Sequence, residues 1–295
     1  MKWQNRRKST NIEDNRAKGS AGRGALSIKT LMMLWPFVKP LLRTKFGWGI
    51  IAIGVVAYMS GFNPLGFLGG GGVASSPVNQ AHDDKKAALV ATVLADTEEV
   101  WRDIFAAQGR VYKEPKTVLF RGSTQSGCGY ASAQVGPFYC PADRKVYLDL
   151  SFFDELAKRH NATGDFAQAY VLAHEVGHHI QNLDGTLAKV QHLKQQLTSQ
   201  SQQNTLQVRV ELQADCYAGL WAHHAHKKFD ILEEGDIQEA LRTASAIGDD
   251  TLQKQAKGYV VPDSFTHGTS KQRMEWFLRG FQYGTIEACN SFANL

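Results

Sequence analysis

Residues 170–181 read YVLAHEVGHHIQ, and this stretch decides what the surrounding chain folds into. His174 and His178 lie four positions apart, so a helix places both imidazole rings on one face. Uncharged residues flank them, which favours a buried helix that holds the rings rigidly. With Glu175 between the histidines, the stretch has the HExxH pattern, in which the rings bind zinc and the carboxylate acts as general base. We therefore predict a zinc site within a long helix over residues 165–183.

A catalytic zinc site also needs a third protein ligand and an open coordination position. Asp184 has the spacing of a third ligand in one zinc-protease pattern, but Gln181 stands where that pattern has the glycine of a sharp turn. Glu211 and Asp215 are four apart in a second helical pattern over residues 206–227, so they share a face. We predict Glu211 as the third ligand, with Asp215 accepting the free ring N–H of a ligand histidine. Asp184 as ligand, or an exposed acidic face for the carboxylate pair, are the alternatives.

A later segment, residues 266–273, reads THGTSKQR and contains a second set of candidate catalytic groups. A histidine or arginine beside the zinc stabilises the oxyanion that forms when a carbonyl is attacked. We predict that His267 is this catalytic residue, in preference to Arg273. The alternative is a loop histidine next to a structural arginine.

The other histidines near these helices are predicted to be structural. His179 follows the motif but points to a different side of its helix. Three more close the second helical pattern, where we expect them to satisfy free carbonyl groups at a helix end: His223, His224 and His226. A second metal held by these three is the alternative.

Outward from the motif, the chain shows a few short strands and many helices. Strands are predicted over residues 117–120 and 145–150. Residues 131–140 are expected to form an edge strand or bulge, because proline at position 137 cannot donate to a ladder. Helices are predicted over residues 83–108, from 151 onward, and over 165–183, 206–227, 236–246 and 270–283. This order indicates an α+β domain, mostly helical with a small sheet.

The chain has four cysteines, none of them in a CxxC pair, so a thiolate zinc site is disfavoured. An even number permits two disulfides, and three connectivities are compatible with the count. Cys128 with Cys140 closes a short loop and is the preferred pair, which leaves Cys216 with Cys289. Free buried thiols are the alternative.

Residues 46–62 read FGWGIIAIGVVAYMSGF and contain no charged residue. As a helix they span roughly 25 Å, near the lower limit for crossing a bilayer. Trp48 and Tyr58 lie near the two ends, where aromatic rings favour the membrane interface. We predict one transmembrane helix here. A cleaved signal peptide and a buried core helix are the alternatives, the second being opposed by the four glycines of the stretch.

The charge of the chain is unevenly distributed. Residues 1–45 carry eleven Lys or Arg against two acidic residues, a net charge of +9, whereas the rest of the chain is mildly acidic. We predict that residues 1–45 are a basic, largely disordered cytoplasmic tail, since positive flanks stay inside. Residues 63–75 form a glycine-rich linker and residues 76–295 the zinc-binding domain. The acidic body argues against a nucleic-acid partner.

Taken together, these segments resemble the bacterial "putative neutral zinc metallopeptidase" family nearly end to end. The resemblance rests on the opening MKWQNRR, the uncharged stretch, GCGYASAQVGPFYCP, HEVGHHIQ, ELQADCYAG and THGTSKQR. HEVGH followed by ELQAD is also similar to the gluzincin arrangement. The resemblance implies a zincin-like fold with Zn²⁺ bound by His174, His178 and Glu211. In a bacterium, the predicted orientation gives a single-pass inner-membrane protein with a cytoplasmic N-terminus and a periplasmic catalytic domain.

The sequence thus predicts a membrane-anchored zinc metallopeptidase that acts on a peptide or protein substrate. Glu175 takes a proton from a zinc-activated water and passes it to the leaving amine. Two other functions stay open: a non-catalytic envelope scaffold that uses zinc structurally, which the presence of Glu175 disfavours, and a zinc amidase acting on cell wall. The sequence does not indicate an oligomeric state.

Overall fold

The computed structural model describes residues 1–16, 80–132, 135–160 and 164–293. A four-stranded sheet has the order β1-β2-β6-β5, built from Ile12–Asp14, Lys116–Phe120, Lys145–Asp149 and Phe138–Cys140 respectively. The first three strands are parallel, and β5 runs antiparallel to β6 at the edge. A separate hairpin pairs β3 (Ser123–Ser126) with β4 (Gly129–Ser132).

Helices make up most of the described residues, as predicted. In chain order they are α1 (Gln80–Ala107), α2 (Leu150–His160), α3 (Asp165–Leu183), α4 (Thr186–Gln196), α5 (Gln200–Phe229), α6 (Asp236–Ala246), α7 (Asp249–Lys257) and α8 (Ser270–Tyr283). Residues 191–207 are rich in glutamine. Within them, α4 ends before the extended C-cap residue Leu197, and α5 begins after the N-cap residue Ser199.

Helices α5 and α8 cross at very close range because glycines meet at the crossing. A Cβ atom added to Gly280 would lie 1.9 Å from the carbonyl oxygen of Cys216, and one added to Gly219 would lie 2.0 Å from that of Phe277. The disulfide Cys216–Cys289 ties the same part of α5 to the chain after α8. Together with Cys128–Cys140, it confirms the preferred disulfide pairing. The close crossing brings the first turns of α8 against the metal-binding half of α5.

The first sixteen residues are part of the folded body, so the assignment of residues 1–45 to a disordered tail is wrong for this segment. Trp3 is buried, and its indole N–H donates to Asp165 Oδ2 at 2.6 Å. Arg6 forms a bidentate pair with the buried Asp96 of α1 at 2.7 and 2.9 Å. Strand β1 then extends the sheet, with Ile12 opposite Thr117. Ion pairs and strand pairing order the segment despite its few apolar residues.

The predicted transmembrane helix and inner-membrane localisation are contradicted. No helix in the described part of the chain is both long enough and apolar enough to cross a membrane. The two longest helices, α1 and α5, both carry charged side chains along their length. Residues 46–62 themselves, and the predicted linker 63–75, lie outside the described residues.

Candidate metal centre

Helix α3 carries the HExxH residues through the interior of the protein. His174 and Glu175 are buried, and His178 is partly buried one turn later. Gly177, inside the motif, faces α5: a Cβ atom at this position would lie 3.0 Å from the carbonyl oxygen of Ala214. Glycine therefore allows α3 to approach α5 closely enough for side chains of the two helices to share one site.

Three potential metal ligands converge where these helices meet. Glu211 Oε2 lies 3.3 Å from His174 Nε2 and 3.4 Å from His178 Nε2. One donor atom from each of the three residues lies within 4.8 Å of the others. Zinc bonds of about 2.0–2.2 Å in a tetrahedral site place ligand atoms about 3.3–3.6 Å apart. The two nitrogen–oxygen distances lie in this range, so two imidazole nitrogens and one carboxylate oxygen fit a zinc ion that has one further coordination position.

Hydrogen bonds on the far ring nitrogens orient both histidines. His174 Nδ1 lies 2.8 Å from Asp215 Oδ1, as predicted for a carboxylate behind a ligand. His178 Nδ1 lies 2.8 Å from Gln181 Oε1. Because both acceptors fix the proton on Nδ1, the Nε2 lone pairs are left to bind a metal.

Asp215 is the centre of a buried hydrogen-bond network. Its Oδ1 also accepts from the Tyr170 hydroxyl at 2.5 Å, and Arg273 donates to both carboxylate oxygens at 2.8 and 2.9 Å. Burial alone would raise the pKa of Asp215, but the charges of Arg273 and His174 outweigh it and hold the pKa at about 2. The carboxylate behind the ligand therefore stays ionised.

Glu211 is oriented by a glutamine one turn earlier on α5. Gln207 Nε2 donates to Glu211 Oε1 at 2.8 Å, which leaves Oε2 directed at the two histidines. Burial alone would raise the pKa of Glu211, but the charge and hydrogen bonds of His178 and His174 hold it well below its usual range. An ionised carboxylate is the form that binds a cation.

Glu175 lines the cavity beside the three ligands, and its side-chain carboxylate makes no hydrogen bond to another described residue. Burial raises the pKa of this carboxyl above its ordinary value, and the charges of His174 and His178 oppose the rise only in part. A carboxylate whose pKa is shifted towards neutrality is suited to accept and return a proton.

His267 lies on the same cavity, on the loop before α8. Its ring Nδ1 is 3.3 Å from Asp249 Oδ1, and Asp249 Oδ2 accepts the backbone N–H groups of Thr266, His267 and Gly268 at 2.6–3.1 Å. The hydrogen bond to Asp249 raises the pKa of His267, against the effect of burial. Asp249 thus fixes the whole loop that presents the predicted catalytic histidine, whereas Arg273 is committed to Asp215.

The cavity in front of these residues has a volume of about 1050 Å³. Edge strand β5 lines one side of it through Phe138 and Tyr139. The Tyr139 hydroxyl lies 3.0 Å from His179 Nδ1 and accepts from Asn182 Nδ2 at 2.8 Å, so the two α3 residues hold the strand in place. The disulfide to Cys128 anchors the end of the same strand. His179 thus lies outside the ligand set, as expected.

The remaining candidates lie away from the ligands. Asp184 pairs with Arg110 at 2.6 Å and does not line the cavity. His223 Nδ1 and His224 Nε2 each lie 2.8 Å from a carbonyl oxygen at the end of α8, that of Phe281 and of Gly284 respectively. Within the described residues, the cluster His174, His178 and Glu211 is the one group arranged to hold a metal.

Similarity to known proteins points to the same kind of site. The family described as "Putative neutral zinc metallopeptidase" matches residues 1–292. The chain belongs to this family. Within it, the chain is 45% identical to the Escherichia coli K12 protein YpfJ, over 99% of both chains. It is also 41% identical to Rv2575 of Mycobacterium tuberculosis H37Rv, over 66% of this chain and 67% of that protein. Both relatives are named as uncharacterized proteins. No solved structure matches the chain.

Four residues that orient the candidate site by hydrogen bonds were not predicted from the sequence. Gln181 and Gln207 stand three and four positions from His178 and Glu211, so helical spacing alone was a sufficient signal for both. Tyr170, four positions before His174, offered the same signal. Asp249 had no such signal, because its partner His267 lies 18 residues later, beyond helix α7.

Proposed function

We propose that the protein hydrolyses peptide bonds with zinc held by His174, His178 and Glu211. The distances from the Glu211 carboxylate oxygen to the two imidazole nitrogens are the observation that carries the proposal, because they match a tetrahedral zinc site with one position left for substrate or water. Membership of the zinc metallopeptidase family supports the same conclusion.

Zinc in such a site supplies Lewis acidity and lowers the pKa of a coordinated water. The protein contributes the proton transfers. Glu175 is buried next to the ligands with its carboxylate free, so it accepts the proton of the attacking water and then donates it to the leaving amine. A purely structural zinc site has no use for a free carboxylate at this position.

His267 stabilises the negative charge that develops on the carbonyl oxygen. Its hydrogen bond to Asp249 favours the protonated ring, which is the form that donates to an oxyanion. The same bond fixes the ring at the cavity wall.

The strand edge and the side chains that line the cavity favour a peptide as the substrate. Among the described strands, β5 pairs with β6 only, so its other edge is free to pair with an extended chain. An extended peptide added to a sheet edge is bound through its main chain, with its side chains in flanking pockets. Apolar side chains of Phe152, Leu156 and Ile247 line the cavity on the side of α2 and α6.

The test is incubation of the full chain with a diverse mixture of peptides, with the products identified by mass spectrometry. The full chain is required because residues 1–16 belong to the folded body. Cleavage that stops on chelation and returns with zinc supports the proposal. An absence of cleavage by zinc-loaded protein contradicts it and leaves a zinc-binding scaffold. Cleavage of cell-wall fragments but not of peptides would identify an amidase.

A further inference from the structure

The cavity wall formed by α4 carries one lysine whose charge has no acidic partner. Lys194 lines the cavity and is partly buried. Its ammonium group donates to Gln207 Oε1, a neutral amide oxygen. No carboxylate of the described residues lies within ion-pair distance of it. Since an ammonium has three donors, two remain for a ligand.

Most of the other charged groups of the cavity wall have an oppositely charged partner or a role in the proposed mechanism. Arg273 binds Asp215, His267 binds Asp249, and Arg159 lies 3.7 Å from Glu155. Glu211 faces the ligand histidines, and the proposed mechanism occupies Glu175. Arg159 is 70% exposed to solvent, so among the partly buried cations that line the described cavity Lys194 is the one without a carboxylate partner. Burial lowers the pKa of this ammonium and the charge of Glu211 opposes the effect, so a second carboxylate would stabilise it further.

The position of Lys194 relative to the metal ligands limits which part of a substrate it reaches. Gln207 accepts from Lys194 through Oε1 and donates to Glu211 through Nε2, so one side-chain amide separates the ammonium from a metal-binding carboxylate. An extended peptide advances about 3.3 Å per residue. The path through this amide is about 10 Å, so the ammonium is within roughly three residues of the bond held at the metal centre.

We infer that Lys194 binds a carboxylate of the substrate close to the bond that is cleaved. The inference rests on the proposed peptidase function and names its substrate class: peptides with an acidic residue, or with a free C-terminal carboxylate, at that position. A side-chain carboxylate and a C-terminal carboxylate bind an ammonium in the same way. Amidation of the C-terminus removes only the second and so distinguishes the two.

The experiment compares one cleaved parent peptide in versions with Glu, Gln or Lys beside the cleaved bond, each with a free and an amidated C-terminus. Lys194→Gln should lower kcat/KM for the carboxylate-bearing version about tenfold more than for the neutral version. Lys194→Glu should favour the Lys version. Lys189→Glu is the matched control, since Lys189 is exposed on the same helix and does not line the cavity.

A purely structural role would give a different result. If Lys194 only supports Gln207 and Glu211, Lys194→Gln lowers activity on every version equally and reduces zinc content, which overturns the inference. An unchanged preference in Lys194→Gln overturns it as well.

Binding separates this inference from the peptidase proposal. Full-length Glu175→Gln is mixed with fluorescently labelled Glu and Gln peptides with amidated and free C-termini, and anisotropy is measured with and without Lys194→Gln. Tighter binding of the carboxylate-bearing peptide that depends on Lys194 supports the inference even if the wild-type protein cleaves nothing. Equal binding of all versions, or no binding, overturns it.

Discussion

Arg273 donates hydrogen bonds to both carboxylate oxygens of Asp215, which lies 58 residues earlier in the chain. Asp215 is completely buried. Asp215 in turn holds His174 by its Nδ1. The guanidinium of α8 therefore acts on the metal centre through α5 and not through the substrate. For this reason the proposed mechanism assigns the oxyanion to His267 and not to Arg273, although both line the same cavity.

Arg273→Met should leave Asp215 as a buried charge with too few partners. We expect the free energy of unfolding to fall by about 3–5 kcal/mol, measured by urea denaturation. Zinc affinity should fall by about ten- to a hundredfold, because the carboxylate behind His174 is no longer held in place. Lys271→Met, an exposed position on the same helix, is the control and should cost less than about 1 kcal/mol. Equal effects of the two substitutions would contradict the role assigned to the pair.

Asp249→Asn should move the alkaline limb of the pH–activity profile to lower pH. Asp249 raises the pKa of His267, and a protonated His267 is active as oxyanion donor, so activity declines as the pH rises through this pKa. Without the charge of Asp249 the ring loses its proton at lower pH, and the decline begins earlier. The measurement is kcat/KM against pH, with His267→Gln as the companion variant that should lack this limb. An alkaline limb that is identical in all three proteins would remove His267 from the mechanism.

Arg6→Met should destabilise the whole body, because the partner Asp96 is only 3% exposed and would be left without its cation. The expected loss is about 3 kcal/mol in a single cooperative unfolding transition. Lys8→Met is the matched control, since Lys8 is exposed in the same segment. If both variants unfold like the wild type, residues 1–16 do not contribute to the fold as described.

Helical spacing explains what could be predicted from the sequence. His174 and His178, and likewise Glu211 and Asp215, are four residues apart, so their shared faces follow from the geometry of one helix. The strand over residues 145–150 and its edge partner were predicted for a similar reason, since alternation and a proline are local signals.

Interactions between distant segments explain what could not be predicted. Nothing local links Arg6 to Asp96, so the basic composition of the N-terminal region suggested a tail where the structure has a strand and ion pairs. Arg273 and Asp215 meet only because Gly219 and Gly280 let two helices cross closely. The membrane prediction rested on the length and lack of charge of residues 46–62, whereas no helix in the described part of the chain is long and apolar enough to cross a membrane.

Glu175→Gln in the full chain tests the central claim most directly. Zinc content is measured alongside hydrolysis of a peptide that the wild-type protein cleaves. Because the three ligands His174, His178 and Glu211 are untouched, the variant should bind zinc as the wild type does. Hydrolysis should fall by at least about a hundredfold, since the group that moves the proton is lost. Full zinc content with wild-type hydrolysis would contradict the account.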